Sequence, residues 1–324
     1  MSNVVTYIDA IRLALRTALS EDERVVLLGE DVGGGGGAFR ATVGLQEEFG
    51  EDRVIDTPIS EAAFTGAAVG MALDGMRPVV EFQFSDFLTS GMNAIVNTAA
   101  KMHFRARTPV PIVIRAPAAG GFSGGPFHSQ NPEAWFLRTP GLKVACPATT
   151  EDAGLLLAAA IADPNPVVFF EQKSLYTRVK GEFCYDSAAP LAGAAKRRAG
   201  DDVTLVSYGA ALHLALEAAV ELATEGIECD VIDLRVLCPL DFDSVAASVA
   251  RTGRCLIAHE DYPNYGVAAE LAARLAGELF TELDAPVGRV GAHFWPIPFS
   301  PPLEQATLPT CNRIVDAVRD LARF

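Results

Sequence analysis

Glu61 stands where a short apolar strand, Val54-Ile55, turns into a helical run that starts near Ser60 and continues to Leu73. Strand-to-helix turns of an α/β sheet lie on the side where ligands bind, so a carboxylate there is placed to meet one. The same position suits a first-turn acidic residue favoured by the helix dipole, and residue type alone leaves both readings open. The helix behind it is built from Ala62, Ala63, Gly66, Ala67, Ala68, Gly70 and Ala72. Side chains this small let a second backbone approach closely, as at a subunit interface. His128 stands in a Gly-rich connection running from Arg115 to Asn131. Glycines there keep the backbone mobile or let it approach a ligand, and connections of this length are usually functional; a plain surface histidine is the competing reading. At Ala160-Ile161-Ala162-Asp163-Pro164-Asn165-Pro166 a helix ends. Unpaired carbonyls at a helix C-terminus, with Asp163 and Asn165, make hard oxygen donors suited to K⁺, Na⁺ or Ca²⁺. A Pro-terminated cap explains that pattern equally well.

Other candidates point away from chemistry. The run Gly33 to Gly37 follows a strand, but Ala38-Phe39-Arg40 comes next instead of the Gly-Lys-Ser/Thr ending of a phosphate loop. Asp56 lies near the distance a dinucleotide fold needs, yet residues 38–46 open a helix poorly. A flexible or close-packing loop is the better description. His103, His213 and His293 read as surface residues, and His259, beside Glu260 and Asp261, as part of a solvated acidic cluster. The six cysteines form no CxxC pair, which suggests buried free thiols in a reducing compartment.

These residues need elements to hold them. Thr6 with Asp9 marks a helix start, followed by Ile8, Ile11, Leu15 and Leu19 at helical spacing. Strands are expected at 25–28, 54–55, 79–82, 110–114, 144–145 and 167–170, with helices at 91–105 and 150–162 between them. A second series follows: strands at 203–207, 228–233 and 254–259, helices from about 210, at 241–251 and 265–277, and a last one from about 312. Alternation of this kind builds parallel α/β sheets. The expected organisation is a domain over 1–185, a linker over 186–201 containing Lys196-Arg197-Arg198, and a domain over 202–324. Across the 324 residues acidic side chains outnumber basic ones by 41 to 26, giving a net charge of -15. That excess argues against nucleic acid and anionic lipid as partners and suits a basic protein partner. The longest apolar stretch, Leu155 to Ala162, is far too short to span a membrane, and the start carries no secretory pattern. A cytoplasmic protein is expected.

Several runs together resemble the β subunit of thiamine-diphosphate-dependent 2-oxo acid dehydrogenases. They are Leu28 to Val32, Arg53 to Glu61, Glu81 to Phe87, His128 to Gln130 with Glu133 to Phe136, Pro140 to Val144 and Phe169 to Glu171. Asp233 to Arg235, Pro239 to Asp241, and Pro298-Phe299 with Leu303-Glu304 continue the likeness through the second half. The resemblance implies a pyrimidine-binding domain followed by a transketolase-type C-terminal domain. It implies that Glu61 hydrogen-bonds N1′ of the cofactor's aminopyrimidine and that Phe87 contacts the ring. Gln83 is expected on the same strand face as Phe87. By the same resemblance His128 lies near the reacting carbon, orienting the 2-oxo carboxylate or protonating the dithiolane of a lipoyl group. A structural K⁺ site is implied at Ile112, Ala160, Ile161, Asp163 and Asn165.

Thiamine enzymes hold the diphosphate through Mg²⁺ bound at a Gly-Asp-Gly motif, and none occurs in these residues. The resemblance therefore implies an α subunit that holds Mg²⁺ and the diphosphate, in an α2β2 tetramer that serves a lipoyl acyltransferase core. Residues 33–45 and 127–136 lean toward branched-chain 2-oxo acid enzymes, and Pro296 to Leu303 toward pyruvate and acetoin enzymes. Branched-chain substrates are favoured. A chain that mainly docks the acyltransferase is the alternative from another class. A nicotinamide oxidoreductase lacks its glycine fingerprint.

Overall fold

The computed structural model describes residues 3–185 and 190–324. They form two compact units, the first from the described residues of Met1–Ala118 and Trp135–Leu191, the second from Ala119–Ala134 and Ala192–Phe324. In chain order the elements up to the second series are β1 (Asn3–Thr6), α1 (Tyr7–Glu21), β2 (Val25–Gly29), α2 (Leu45–Phe49), β3 (Val54–Asp56), α3 (Glu61–Leu73), β4 (Arg77–Glu81), α4 (Leu88–Met92), α5 (Ala100–Ala106), β5 (Val113–Ala118), α6 (Glu133–Leu137), β6 (Lys143–Ala145), α7 (Thr150–Ala162), β7 (Val167–Gln172) and β8 (Lys180–Phe183).

The first unit is built on parallel strands in the order β6-β7-β5-β4-β2-β3, with β1 and β8 paired antiparallel beside it. Strands β2, β5 and β7 are buried along their whole length, so they read as apolar runs rather than alternations, as a sheet covered on both faces requires. Helix α1 opens with the expected capping box between Thr6 and Asp9 and buries Ile8, Ile11, Leu15 and Leu19. Helix α7 covers the expected 150–162 span. Strand β5 begins at Val113 rather than at residue 110, because Pro111 has no N–H to give a ladder. It also runs on to Ala118, so the Gly-rich connection starts at Ala119 instead of Arg115. The helix expected at 91–105 is three pieces, with a wider-turned π segment, Asn93–Ala99, between α4 and α5.

Arg115 sits at the centre of this unit with no exposed surface. Its guanidinium forks onto Glu171 at 2.6 and 2.8 Å and also bonds Glu81, while Tyr176 donates to Glu171 at 2.8 Å. The end of the five-glycine run packs over this network. Gly36 and Gly37 hold φ near +80°, and a Cβ on Gly37 would strike the Glu81 carboxylate. These glycines serve close packing, without a helix opening behind them.

The second unit contains β9 (Ala195–Arg198), β10 (Val203–Ser207), α8 (Ala211–Ala223), β11 (Cys229–Asp233), β12 (Val236–Cys238), α9 (Phe242–Thr252), β13 (Cys255–Ala258), α10 (Val267–Glu278), β14 (Gly288–Val290), α11 (Pro301–Thr307) and α12 (Cys311–Leu321). Its sheet runs β14-β13-β10-β11-β9, parallel except for β9. The basic run expected in a linker is therefore strand β9. Lys196, Arg197 and Arg198 pair with Asp230, Asp233 and Glu228 of the neighbouring strand region, which turns three positive charges into edge-strand contacts. Residues 186–189 of that expected linker lie outside the described residues. All six cysteines are free thiols. Among the described residues no helix is long and apolar enough to cross a membrane.

Candidate active site

Strand order reverses at β2, whose partners are β3 on one side and β4 on the other. The carboxyl ends of the strands at such a reversal form the crevice in which open α/β sheets bind ligands. Four polar residues gather there. Glu61 is the first residue of α3 and half-buried; the N-cap, Ser60, makes no side-chain cap bond. Glu30 directly follows β2 and is 5% exposed, and its Oε1 has no hydrogen-bond partner among the described residues. Burial pushes the Glu30 carboxyl above its ordinary value, and the neighbouring Glu61 charge adds to that, while the Ser60 backbone N–H opposes it. Two carboxyl groups thus share one environment, in which the charge of one favours a proton on the other. Next to Glu30, Asp31 holds a left-handed backbone (φ 59°) and accepts from Gln83 Nε2 at 3.1 Å.

The resemblance named Glu61 and Gln83 but gave Glu30 no role. Its signal in the sequence was an acidic pair, Glu30-Asp31, directly behind an apolar strand. Gln83 does not share a strand face with Phe87. Strand β4 ends at Glu81, and Phe87 closes a 3-10 turn, Ser85–Phe87, in which its N–H bonds the Phe84 carbonyl at 3.0 Å. Ser85 and Asp86 are buried, and that breaks the two-residue alternation on which the expectation rested. Phe87 is half-buried and packs edge-on against Phe84, with ring centroids 5.7 Å apart.

Along the exposed side of α3 lie Ala62, Ala63, Gly66, Ala67 and Gly70. With Val69, Ser90, Gly91 and Thr98, part of that side lines a cavity of about 300 Å³. This matches the small-residue face expected of a helix that another backbone approaches.

His128 belongs to the second unit, in a loop closed where the Ala119 N–H bonds the Gln130 carbonyl at 3.0 Å. The loop is not loose. Glu260 accepts from Gly120 N at 2.7 Å, and Glu304 accepts from Gly121 N at 2.9 Å and Ser123 N at 3.0 Å. His128 itself is half-buried.

His259, Glu260 and Asp261 are buried and do not form the expected solvated cluster. They follow β13 at the carboxyl end of a covered strand, where adjacency in sequence says nothing about water. Tyr208 stacks on His259 with ring centroids 5.6 Å apart and donates to Glu133 at 2.8 Å. Burial, with the Arg289 charge, pushes His259 down to about 4. Burial raises the carboxyls of Asp261 and Glu133, and the charge of Glu260 raises both further. Both carboxyls are thus biased to hold a proton.

The five residues expected at a cation site lie together around the end of α7, and oxygens of Ile112, Ala160, Ile161 and Asp163 already have donors. Arg77 donates to the Ile161 carbonyl at 2.7 Å, Val167 N to that of Ile112 at 2.9 Å and Asp163 N to that of Ala160 at 3.3 Å. The Asp163 carboxylate takes Lys143 and the Asn165 side chain, the latter at 3.0 Å. Each main-chain carbonyl keeps a second lone pair.

Residues 3–179 match the family model described as transketolase, pyrimidine binding domain, and residues 192–314 match transketolase, C-terminal domain. The chain is 42% identical to the 2-oxoisovalerate dehydrogenase subunit beta of Bacillus subtilis, covering 99% of this chain and 100% of that one. It is 42% identical to that organism's acetoin:2,6-dichlorophenolindophenol oxidoreductase subunit beta (99% and 98% covered). It is 41% identical to the pyruvate dehydrogenase E1 component subunit beta from the same organism (99% of each). A solved structure titled split gene transketolase, inactive beta4 tetramer, superposes with a TM-score of 0.82 over 98% of each chain at 23% identity, a likeness of fold.

Proposed function

The chain belongs to the family of 2-oxo acid dehydrogenase β subunits, and from that premise we propose that it supplies the pyrimidine half of a thiamine-diphosphate site for oxidative decarboxylation of a 2-oxo acid. The observation that carries this reading is the pair Glu61 and Glu30 at the strand reversal, with one buried carboxylate oxygen of Glu30 left without a partner among the described residues. A carboxyl pair in which one member is biased to keep its proton can both give a hydrogen bond to a ring nitrogen and take one back. Of the two, Glu61 is the one that the family resemblance assigns to N1′ of the aminopyrimidine. Phe87 offers the aromatic contact, and Gln83, steadied by Asp31, a polar edge. Thiamine diphosphate, when bound, supplies the electron sink for loss of CO₂. His128 offers an imidazole to the 2-oxo carboxylate, or a proton to a lipoyl sulfur in reductive acylation.

The exposed small-residue face of α3 supports an α subunit packed there, in an α2β2 assembly whose α chain holds Mg²⁺ and the diphosphate. A lipoyl acyltransferase core is the proposed acceptor. Branched-chain 2-oxo acids are the proposed substrates, ahead of pyruvate and acetoin. K⁺ is proposed at the free lone pairs of Ile112, Ala160 and Ile161 with Asp163 and Asn165. Exchanging K⁺ for choline is expected to lower Tm by about 1–3 °C, as for any ligand that binds the folded state alone; an unchanged Tm removes the cation.

The deciding experiment assembles the chain with its α partner, thiamine diphosphate and Mg²⁺ and follows artificial-acceptor reduction across branched-chain 2-oxo acids, pyruvate and acetoin. Glu61→Gln is expected to lower kcat by about 10²–10⁴-fold, the usual span for a positioned acid–base group, while the α/β assembly persists on size exclusion. Turnover that survives the substitution overturns the assignment of Glu61.

A further inference from the structure

We infer that Glu304 is a positioning residue for His128, acting through the backbone of the loop that carries it; this rests on the role proposed above for His128. The loop, closed at Ala119 and Gln130, has the form of a compact Ω-loop. Such a loop holds a side chain in place only if its own backbone is fixed. Two of its non-glycine residues, Ala119 (φ 75°) and Ser123 (φ 61°), adopt the left-handed conformation. That conformation is disfavoured for residues with a Cβ, so contacts around the loop must select it.

At Ser123 the Glu304 carboxylate makes that selection. It is 4% exposed, and its Oε1 accepts from Gly121 N at 2.9 Å and Ser123 N at 3.2 Å. Its Oε2 accepts from Ser123 N at 3.0 Å and Ser123 Oγ at 3.3 Å. Glu260 takes the preceding N–H, that of Gly120, at 2.7 Å. The left-handed turn points these N–H groups the same way, so they form a concave anion-binding nest. An anion supplied by the chain itself fills that nest. A Cβ on Gly120 would lie 3.3 Å from Glu304 Oε1, a tight contact, and 3.5 Å from Glu260 Oε1, an ordinary one. Gly125, at φ 70°, lies against the Phe299 ring closely enough that a Cβ there would strike it. Phe299 and Glu304 both come from the segment that leads into and forms α11, which starts on Pro301 and Pro302. One short piece of chain therefore fixes the loop at two points ahead of His128. Because the contact is a charge-assisted set of backbone hydrogen bonds, it depends on both carboxylate oxygens being acceptors.

The test uses the assembled α/β holoenzyme with Glu304→Gln, His128→Ala and the double variant. Glu304→Gln keeps size and shape but turns an amide NH₂ toward N–H donors. Amide hydrogen exchange at Gly121–His128 is expected to quicken by about tenfold or more, and kcat to fall about 10–100-fold with KM for the 2-oxo acid little changed. A misplacement on the order of 1 Å has effects of that size. In the His128→Ala background the same substitution is expected to have no further effect on kcat. Unchanged exchange overturns the inference. So does a kcat loss that simply adds to that of His128→Ala, because Glu304 would then act through something else. If His128→Ala leaves turnover intact, the role proposed for His128 fails and the positioning role fails with it; faster exchange in Glu304→Gln then marks the fault as lying with His128, not the grip on the loop. Should Glu304→Gln not fold, Ser123→Ala removes the Oγ contact alone and is expected to lower kcat about 2–5-fold with faster exchange at the same amides. No change in either measurement overturns the inference.

Discussion

In the first unit Arg115 is buried between Glu81 and Glu171, and in the second Glu133, Glu260 and Asp261 are buried around Tyr208 and His259. Both are charged residues taken out of water, yet the two clusters are stabilised by opposite means. Around Arg115 a bidentate fork and a third bond answer the charges with charges, so the guanidinium is held protonated even though burial opposes it. Around Asp261 and Glu133 burial and a neighbouring carboxylate outweigh the hydrogen bonds that Tyr208 and the backbone offer, so the carboxyls lean toward their neutral, protonated form. The difference teaches that buried charge in this molecule is managed by pairing where the site is closed, and by protons where the cluster borders the loop carrying His128. The guanidinium keeps its charge at every ordinary pH, whereas the protonated carboxyls of the second cluster can release their protons as pH rises.

The largest expected effect falls on the paired cluster. Arg115→Met leaves two carboxylates in a dry centre and is expected to destabilise the first unit by about 3–5 kcal/mol, as when one partner of a buried pair is removed. Amide exchange in β4, β5 and β7 reads this unit separately. Adding Glu81→Gln and Glu171→Gln should recover much of the loss; no recovery breaks the pairing side of the comparison. The next effect is acid sensitivity in the second unit. His259 titrates about 4 when folded against 6.5 unfolded. The unfolded chain therefore takes the proton first, and stability is intact above 6.5 and lost as pH falls toward 4. The loss amounts to about 3 kcal/mol. Exchange in β13 and β10 measured from pH 7 to 4 should show it, and His259→Gln should flatten it. A parallel loss in that variant would assign the acid sensitivity to another group. The third effect has the opposite slope. The Asp261 carboxyl is raised above its ordinary 3.8, so the folded form keeps a proton that the unfolded form has released. Stability from this group is full below 3.8 and lost as pH rises. Asp261→Asn should therefore stabilise the second unit, and by more at pH 8 than at pH 6. Equal gains at both values would make the effect one of packing.

Periodicity made much of this fold readable, and local breaks in it marked the limits. The bounds of α7 and the buried face of α1 follow from apolar spacing and a capping pair, so they could be placed from residues alone. The start of β5 could not, because Pro111 sits inside an otherwise apolar run. The basic run at 196–198 looked like a linker since the acids that pair with it lie about 30 residues away, in and beside β11. At the candidate site Glu61 was legible through its strand-to-helix turn. Glu30 was not, because a carboxylate that closes a buried strand has the same sequence pattern as one that begins a solvated loop. The Glu133–Tyr208 bond joins residues 75 apart and leaves no local trace in the chain.

The order of strands in the first sheet also bears on how the chain is made. Strand β5 is complete well before its neighbour β7, with Val113 pairing to Val167. At a synthesis rate of about 5–20 residues per second, that edge stays open on the ribosome for roughly 3–10 s. Between the two strands the ribosome makes Ala119–Ala134, which joins the second unit and cannot settle until Glu260 and Glu304 exist. The N-terminal strand waits longer still, since Asn3 pairs with Phe183. During that interval Arg115 has Glu81 as its available anion, with Glu171 still 56 residues from emerging. A nascent chain arrested just after β5 should therefore expose both an unpaired strand edge and an incompletely neutralised cation, the kind of surface that chaperones bind.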